Sequence, residues 1–277
     1  MRIGEFECVS LSDGAFRLDG GAMFGVVPKV LWERRAPADA RNRIALGLHP
    51  LLVRTGRQTI LIDAGAGDKY ASKELDIYQF DARDQLERSL RLAGARPEDV
   101  DVVIATHLHW DHAGGLTTRR EGRLEPRFPR ARHIVRRGEW EVATHPNERI
   151  HASYVADDFL PLAEAGLIDF IDDDIDVAPG IRVERTGGHT AHHQIVRIES
   201  AGRTAVFAAD LMPTCAHVDP PWIMGYDLYP LETLAARKRV VAEAIAGEYV
   251  IFFEHDPAIR AGVIRLERGK LRVDSLE

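Results

Sequence analysis

The chain has 277 residues, 45% of them hydrophobic and 29% charged, with a net charge of −7, which fits an ordinary folded globular chain and argues against a nucleic-acid backbone as partner, since phosphate binding needs a concentrated basic surface. No stretch approaches the roughly 20 apolar residues of a membrane helix, and Met1-Arg2-Ile3-Gly4-Glu5 lacks the apolar core of a signal peptide. Two cysteines, Cys8 and Cys215, are too few for a disulfide framework, so a reducing, cytoplasmic setting is the expectation.

Apolar runs predict strands at 48–54 and Thr59–Ile62, joined as a hairpin by Thr55-Gly56-Arg57-Gln58. The second ends in a sharp turn, Asp63-Ala64-Gly65-Ala66-Gly67. Residues 81–94 read as a helix, with Asp81 as N-cap, Leu86, Leu90 and Ala93 as the apolar stripe and Gly94 as the stop. A strand at 100–106 follows, then a short strand at 133–135 and a short helix at 139–144. Further strands are predicted at 168–170, Ile181–Arg185, 195–199, 204–208 and 249–254, a helix at 233–246, and a terminal hairpin of 263–266 and 271–273. Many short strands, not strictly alternating with helices, predict an α+β sandwich whose sheets are covered outside by helices. No composition break marks a linker, so residues 1–277 are read as a single domain. Three irregular segments, 18–43, 145–162 and 211–231, are rich in aromatic residues. Long irregular segments of this kind tend to be functional loops.

The densest chemistry lies in Thr106-His107-Leu108-His109-Trp110-Asp111-His112, which follows an apolar run and precedes Ala113-Gly114-Gly115. Four metal-capable side chains fall in the pattern His-x-His-x-Asp-His. Three more, His189, Asp210 and His255, follow predicted strands at long range. Neutral imidazole and carboxylate suit zinc and similar borderline metals. In this reading His107, His109 and His189 hold one ion, Asp111, His112 and His255 hold the second, and Asp210 bridges them. Two such ions share a hydroxide formed near neutral pH. Zinc is the expected metal, with manganese, iron and cobalt as alternatives. Asp63, at a strand end, is a candidate to orient a ligand imidazole. His49, His133, His145 and His151 read as surface or core histidines.

The His107-x-His109-x-Asp111-His112 motif with His189, Asp210 and His255 resembles the metallo-β-lactamase superfamily over nearly the whole chain. The resemblance implies a four-layer αβ/βα sandwich with a dinuclear site at one edge. Zinc β-lactamases carry Cys where this chain has Asp210, and redox di-iron relatives carry Glu in place of His109. Glyoxalase II enzymes add a helical C-terminal domain. What remains is similar to quorum-quenching N-acyl-homoserine-lactone lactonases and methyl-parathion-hydrolase-like enzymes. That implies lactone opening by a metal-bridging hydroxide, with Asp111 passing a proton to the leaving alkoxide. Hydrolysis of an organophosphate triester or aryl ester is the alternative, and a non-catalytic metal-binding domain a third. The expected partner is a small-molecule lactone or ester, with no nucleic acid and no membrane; a homodimer stays open. Such lactonases place a Tyr three residues after the bridging Asp, where this chain has Pro213; His217, Tyr226 and Tyr229 are candidates to replace it. The expected substrate contacts are Phe24, Trp32, Trp110, Tyr154, Met212, His217, Trp222 and Tyr226.

Overall fold

A computed structural model describes residues 1–81 and 85–276. Alternation along its strands decides the layering, because successive side chains of a strand point to opposite faces. Leu51 and Val53 join one cluster while Leu52 joins another; Ile60 and Ile62 divide from Leu61, and Val102 and Ile104 from Val103, in the same way. In a second sheet Ala205 and Phe207 divide from Val206, and Val250 and Phe252 from Ile251. One set from each sheet forms the shared central core. The outer face of the first sheet packs on Leu86 and Leu90 of the helix Gln85–Leu92 and on Ala143 of the helix Arg137–Thr144. The outer face of the second packs on Val240, Val241 and Ala244 of the helix Pro230–Gly247. The result is the helix–sheet–sheet–helix sandwich expected from the sequence, an α+β fold.

Each main sheet has seven strands. In the first the spatial order is Arg2–Ile3, Phe6–Ser10, Leu51–Arg54, Thr59–Ile62, Val102–Ile104, Arg132–Arg136 and Ile168–Ile171. In the second it follows the chain: Asp176–Ala178, Ile181–Arg185, Gln194–Ser200, Arg203–Phe207, Val250–Phe252, Ala261–Glu267 and Lys270–Ser275. The parallel pairings position the site. Thr59–Ile62 and Arg132–Arg136 both run parallel to Val102–Ile104, with Ile62 and Ile134 in register with Ile104. Arg203–Phe207 runs parallel to Val250–Phe252, with Phe207 opposite Phe252. Parallel strands deliver their C-terminal ends to one edge, where sites of layered α/β sheets form. Asp63 and Thr106 emerge there from the first sheet. Asp210 and His255 emerge from the second, each three residues beyond one of the paired phenylalanines.

Several elements differ from the sequence reading. The strand predicted at 100–106 is only Val102–Ile104, because the Thr106 amide donates to the Asp63 carboxylate at 2.7 Å rather than to a neighbouring strand. The segment 18–43 contains two short helices, Gly20–Phe24 and Lys29–Trp32. The strand pair Ala15–Asp19 and Arg43–Gly47 frames them. The predicted helix 81–94 is seen as Gln85–Leu92; its expected start overlaps residues 82–84, outside the described residues. Among the described residues no helix is long and apolar enough to cross a membrane.

His133 lies buried in the strand Arg132–Arg136, and burial pulls its pKa from 6.5 down to about 4. Above pH 6.5 neither the folded nor the unfolded state carries this proton. Between 6.5 and 4 the unfolded chain binds it and the folded chain does not, so stability is lost as the pH is lowered, by about 1.4 kcal/mol per unit. Replacing His133 by Leu is expected to shrink the loss of unfolding free energy between pH 7 and pH 5 by about 2 kcal/mol, from 1.4 kcal/mol per unit over the titrating range. Urea titrations at the two pH values check this; an equal loss in both proteins contradicts it.

Candidate metal centre

Asp63 organises the loop that leaves Ile104. It has a left-handed φ of 55° and takes hydrogen bonds from the Thr106 amide at 2.7 Å and the Thr106 hydroxyl at 2.6 Å. The Ala64 amide donates to the His112 carbonyl at 2.8 Å. The turn after the loop fits only without side chains: a Cβ on Gly115 would lie 2.0 Å from the Ala64 carbonyl oxygen. The short helix Trp110–Ala113 then presents Asp111 and His112. On the second sheet, Ala209 adopts a φ of 43° in the turn that aims Asp210 at the same edge.

Hydrogen bonds at the far nitrogens turn the imidazoles inward. The Thr106 hydroxyl, already donating to Asp63, accepts from His107 Nδ1 at 3.1 Å, leaving the buried Nε2 without a partner. His189 Nδ1 donates to Asp227 at 2.9 Å. His255 Nδ1 donates to the Gly47 carbonyl at 2.9 Å. His112 Nδ1 donates to Asp63 at 2.9 Å, with Glu254 Oε2 also 2.9 Å away. The inward nitrogens converge on Asp210: His189 Nε2 at 3.0 Å, His255 Nε2 at 3.2 Å and His112 Nε2 at 3.5 Å. Asp111 closes the far side, its oxygens 3.7 Å from His255 Nε2 and 3.9 Å from His112 Nε2.

Donor atoms within 4.8 Å of one another form the groups His107–His109–His189, Asp111–His112–His255 and His107–His112–Asp210. The donor chemistry fits divalent cations. The ring nitrogens of His189 and His109 face each other at 3.0 Å, and those of His112 and His255 at 3.1 Å, an arrangement that needs a shared proton or a cation. Burial, then like-charged neighbours, keeps the His107 and His109 pKa values well below 6.5, so both stay in the neutral, metal-binding form. Burial opposes a charge on His189 and His255 as well, but Asp210 outweighs it and raises them to about 10 and about 9. Those protons stand where cations would bind and would be released on binding.

The centre forms one end of a cavity of about 360 Å³. His109, Asp111, His189, Asp210 and His255 line that end; Phe16, Leu18, Met23, Leu46, Trp110 and Met224 form apolar walls, with Tyr78, Tyr226 and Arg149 as polar groups. Of the residues expected to touch substrate, Trp110 and Tyr226 lie on this wall. Tyr154 sits behind it, its ring edge-on to His109 at 4.8 Å and its hydroxyl donating to Glu139. Phe24 stacks between Trp32 and His217 at 5.3 and 4.9 Å, with Trp222 edge-on at 5.6 Å, and none of the four lines the cavity. Both nitrogens of His217 are engaged, with Thr214 and with the Met23 carbonyl, so its ring braces the wall from outside. Met212 is fully buried beneath the second sheet's outer face.

Sequence reasoning assigns no role at the centre to Asp227, Glu139 or Glu254. Asp227 lies in an irregular segment and carries no periodic signal. Glu254, directly before His255 at a strand end, repeats the placement of Asp63 and was legible by that analogy. Burial, with Asp63 nearby, lifts the Glu254 pKa to about 8 against the pull of His112.

Residues 49–255 match the metallo-beta-lactamase superfamily, and the chain belongs to it. An N-acyl homoserine lactonase from a Bacillus species is 30% identical over 231 residues, 79% of this chain and 82% of that protein. A probable metal-dependent hydrolase from Staphylococcus aureus has a TM-score of 0.92 at 34% identity, covering 99% of this chain and 97% of that one. AidC, a dizinc quorum-quenching lactonase solved in complex with a product, shares the fold, with a TM-score of 0.81 at 21% identity over 100% of this chain and 96% of its own.

If Asp63 orients His112, replacing it by Asn should weaken metal retention at the Asp111–His112–His255 group about 10- to 100-fold, as loss of such supporting partners does elsewhere. Metal analysis after dialysis against graded chelator reads the effect. Retention equal to the parent protein would contradict that role.

Proposed function

We propose that this chain is a two-cation hydrolase that opens lactone rings of the N-acyl-homoserine type. The observation that carries the reading is the junction of an imidazole–carboxylate centre with an apolar cavity of about 360 Å³. Ligand pockets are mostly apolar with a few placed polar groups, and an acyl chain joined to a polar ring matches that division. The similarity to curated N-acyl homoserine lactonases supports the same substrate class. His107, His109 and His189 hold one cation and Asp111, His112 and His255 the other, while the two oxygens of Asp210 reach both groups. Zinc suits this donor set best. Two divalent cations supply Lewis acidity at a carbonyl oxygen and a water acidified to about neutral pH.

The protein's own residues supply the rest. The apolar walls exclude water and hold the acyl chain, so that the ring meets the centre in one orientation. Asp111 faces the cavity from the cation group, where it can carry a proton to the alkoxide released as the ring opens. Pro213 offers no hydroxyl and His217 is fully engaged, which leaves Tyr226 and Tyr78 as the wall phenols able to donate to substrate oxygens. Burial raises both phenol pKa values, with Asp111 adding to the effect, and keeps them protonated donors. The absence of a hydroxyl at Pro213 also favours a second reading, organophosphate triester hydrolysis, since an aryl leaving group needs less proton assistance.

A hydrolysis screen on metal-quantified protein across homoserine lactones, other lactones, aryl esters and a phosphotriester tests the proposal. Lactones are expected to give the highest kcat/KM; turnover of triesters alone overturns the lactone reading. Asp111→Asn is expected to lower kcat on the lactone by about 100-fold or more, the usual scale of general acid–base help. Unchanged kcat with both ions bound would remove Asp111 from that role.

A further inference from the structure

Glu139 is almost fully buried, with a relative exposure of 1%, and it is absent from the cation groups. It lies in the first turn of the helix Arg137–Thr144. Its Oε1 accepts from the Leu108 amide at 3.1 Å and from the Tyr154 hydroxyl at 3.0 Å. Its Oε2 accepts from the Thr190 hydroxyl at 2.7 Å. These three donors come from three separate segments. Leu108 stands between His107 and His109, Thr190 follows His189, and the Tyr154 ring packs edge-on to His109. One carboxylate thus ties together the backbone and side chains that flank all three members of the His107–His109–His189 group.

The other cation group is held by a different set of contacts. His112 is oriented by Asp63 and neighbours Glu254, and His255 is oriented by the Gly47 carbonyl. None of these hydrogen bonds involves Glu139. We infer that Glu139 is the positioning residue for the three-histidine cation position alone, so that this position can be weakened without the other, whereas Asp210, and Asp63 through Thr106, touch both groups. The physical ground is that a buried charged acceptor makes stronger hydrogen bonds than a neutral one. Removing its charge loosens the segments it joins, whereas Asp111, His112 and His255 keep their own anchors. The inference rests on the two-cation reading above but not on the lactone as substrate.

Glu139→Gln keeps the shape and removes the charge. The probe is zinc titrated calorimetrically into metal-free protein. The parent protein is expected to bind two ions. The variant is expected to bind one with unchanged Kd and the other with Kd raised about 10- to 100-fold, the range for lost supporting partners. Cobalt as a second probe assigns the weakened position, because its paramagnetically shifted histidine N–H signals come from three histidines in one group and two in the other. Unchanged affinity for both ions, equal weakening of both, or weakening at the two-histidine position overturns the assignment. A parent protein that binds fewer than two ions overturns the two-cation reading with it. Should Glu139→Gln not fold, Thr190→Val removes one of the three hydrogen bonds and leaves the carboxylate. It is expected to weaken the same position by a smaller factor, and the same results would overturn the assignment.

Discussion

The centre depends on one buried carboxylate. Asp210 lies within 3.0 to 3.5 Å of inward nitrogens on His189, His255 and His112. Those three side chains arrive from different parts of the chain. A carboxylate removed from water is costly unless positive charge and hydrogen bonds replace its hydration. Asp210 is therefore tolerable only where several donors converge, and the fold supplies that convergence. The parallel strand pairs end at a common edge, and the register of Phe207 with Phe252 places Asp210 and His255 at equal distances beyond it.

The surroundings extend the same logic outward. Four of the five inward imidazoles, His107, His189, His112 and His255, are fixed by an acceptor on the far nitrogen: the Thr106 hydroxyl, Asp227, Asp63 and the Gly47 carbonyl. Such partners set which nitrogen faces the site and raise its basicity. The carboxylates Asp63, Asp111, Asp210 and Asp227 are all buried at the centre. Protons on His112, His189 and His255 offset part of that charge, and divalent cations would offset it more fully. The aromatic stack of Trp32, Phe24 and His217 lies outside this shell. It supports the segment carrying Met23, which is part of the cavity wall.

The layered fold was legible because alternation in runs such as Leu51-Leu52-Val53 and Ala205-Val206-Phe207 is visible in one dimension. The histidine loop was legible because its spacing is local, Asp210 and His255 because each follows an apolar run, and His189 because Gly187-Gly188-His189-Thr190 follows a predicted strand. The cavity wall was less so. Phe24 and Trp222 look like pocket residues in an irregular segment, yet which side of a short helix faces a cavity depends on packing that no period reports. Phe16 and Tyr78 reach the wall from segments that the sequence left unremarkable. Glu139 and Asp227 show the same limit for polar residues: a lone acid in a short helix or loop resembles a solvated one until its donors, distant in sequence, are in place.

Whether cations occupy the groups gathered around Asp210 can be read directly from an anomalous difference map of zinc-loaded crystals, collected across the metal edge. Two peaks are predicted, one among His107, His109 and His189 and one among Asp111, His112 and His255, with Asp210 touching both. A single peak, or peaks away from Asp210, would contradict the account.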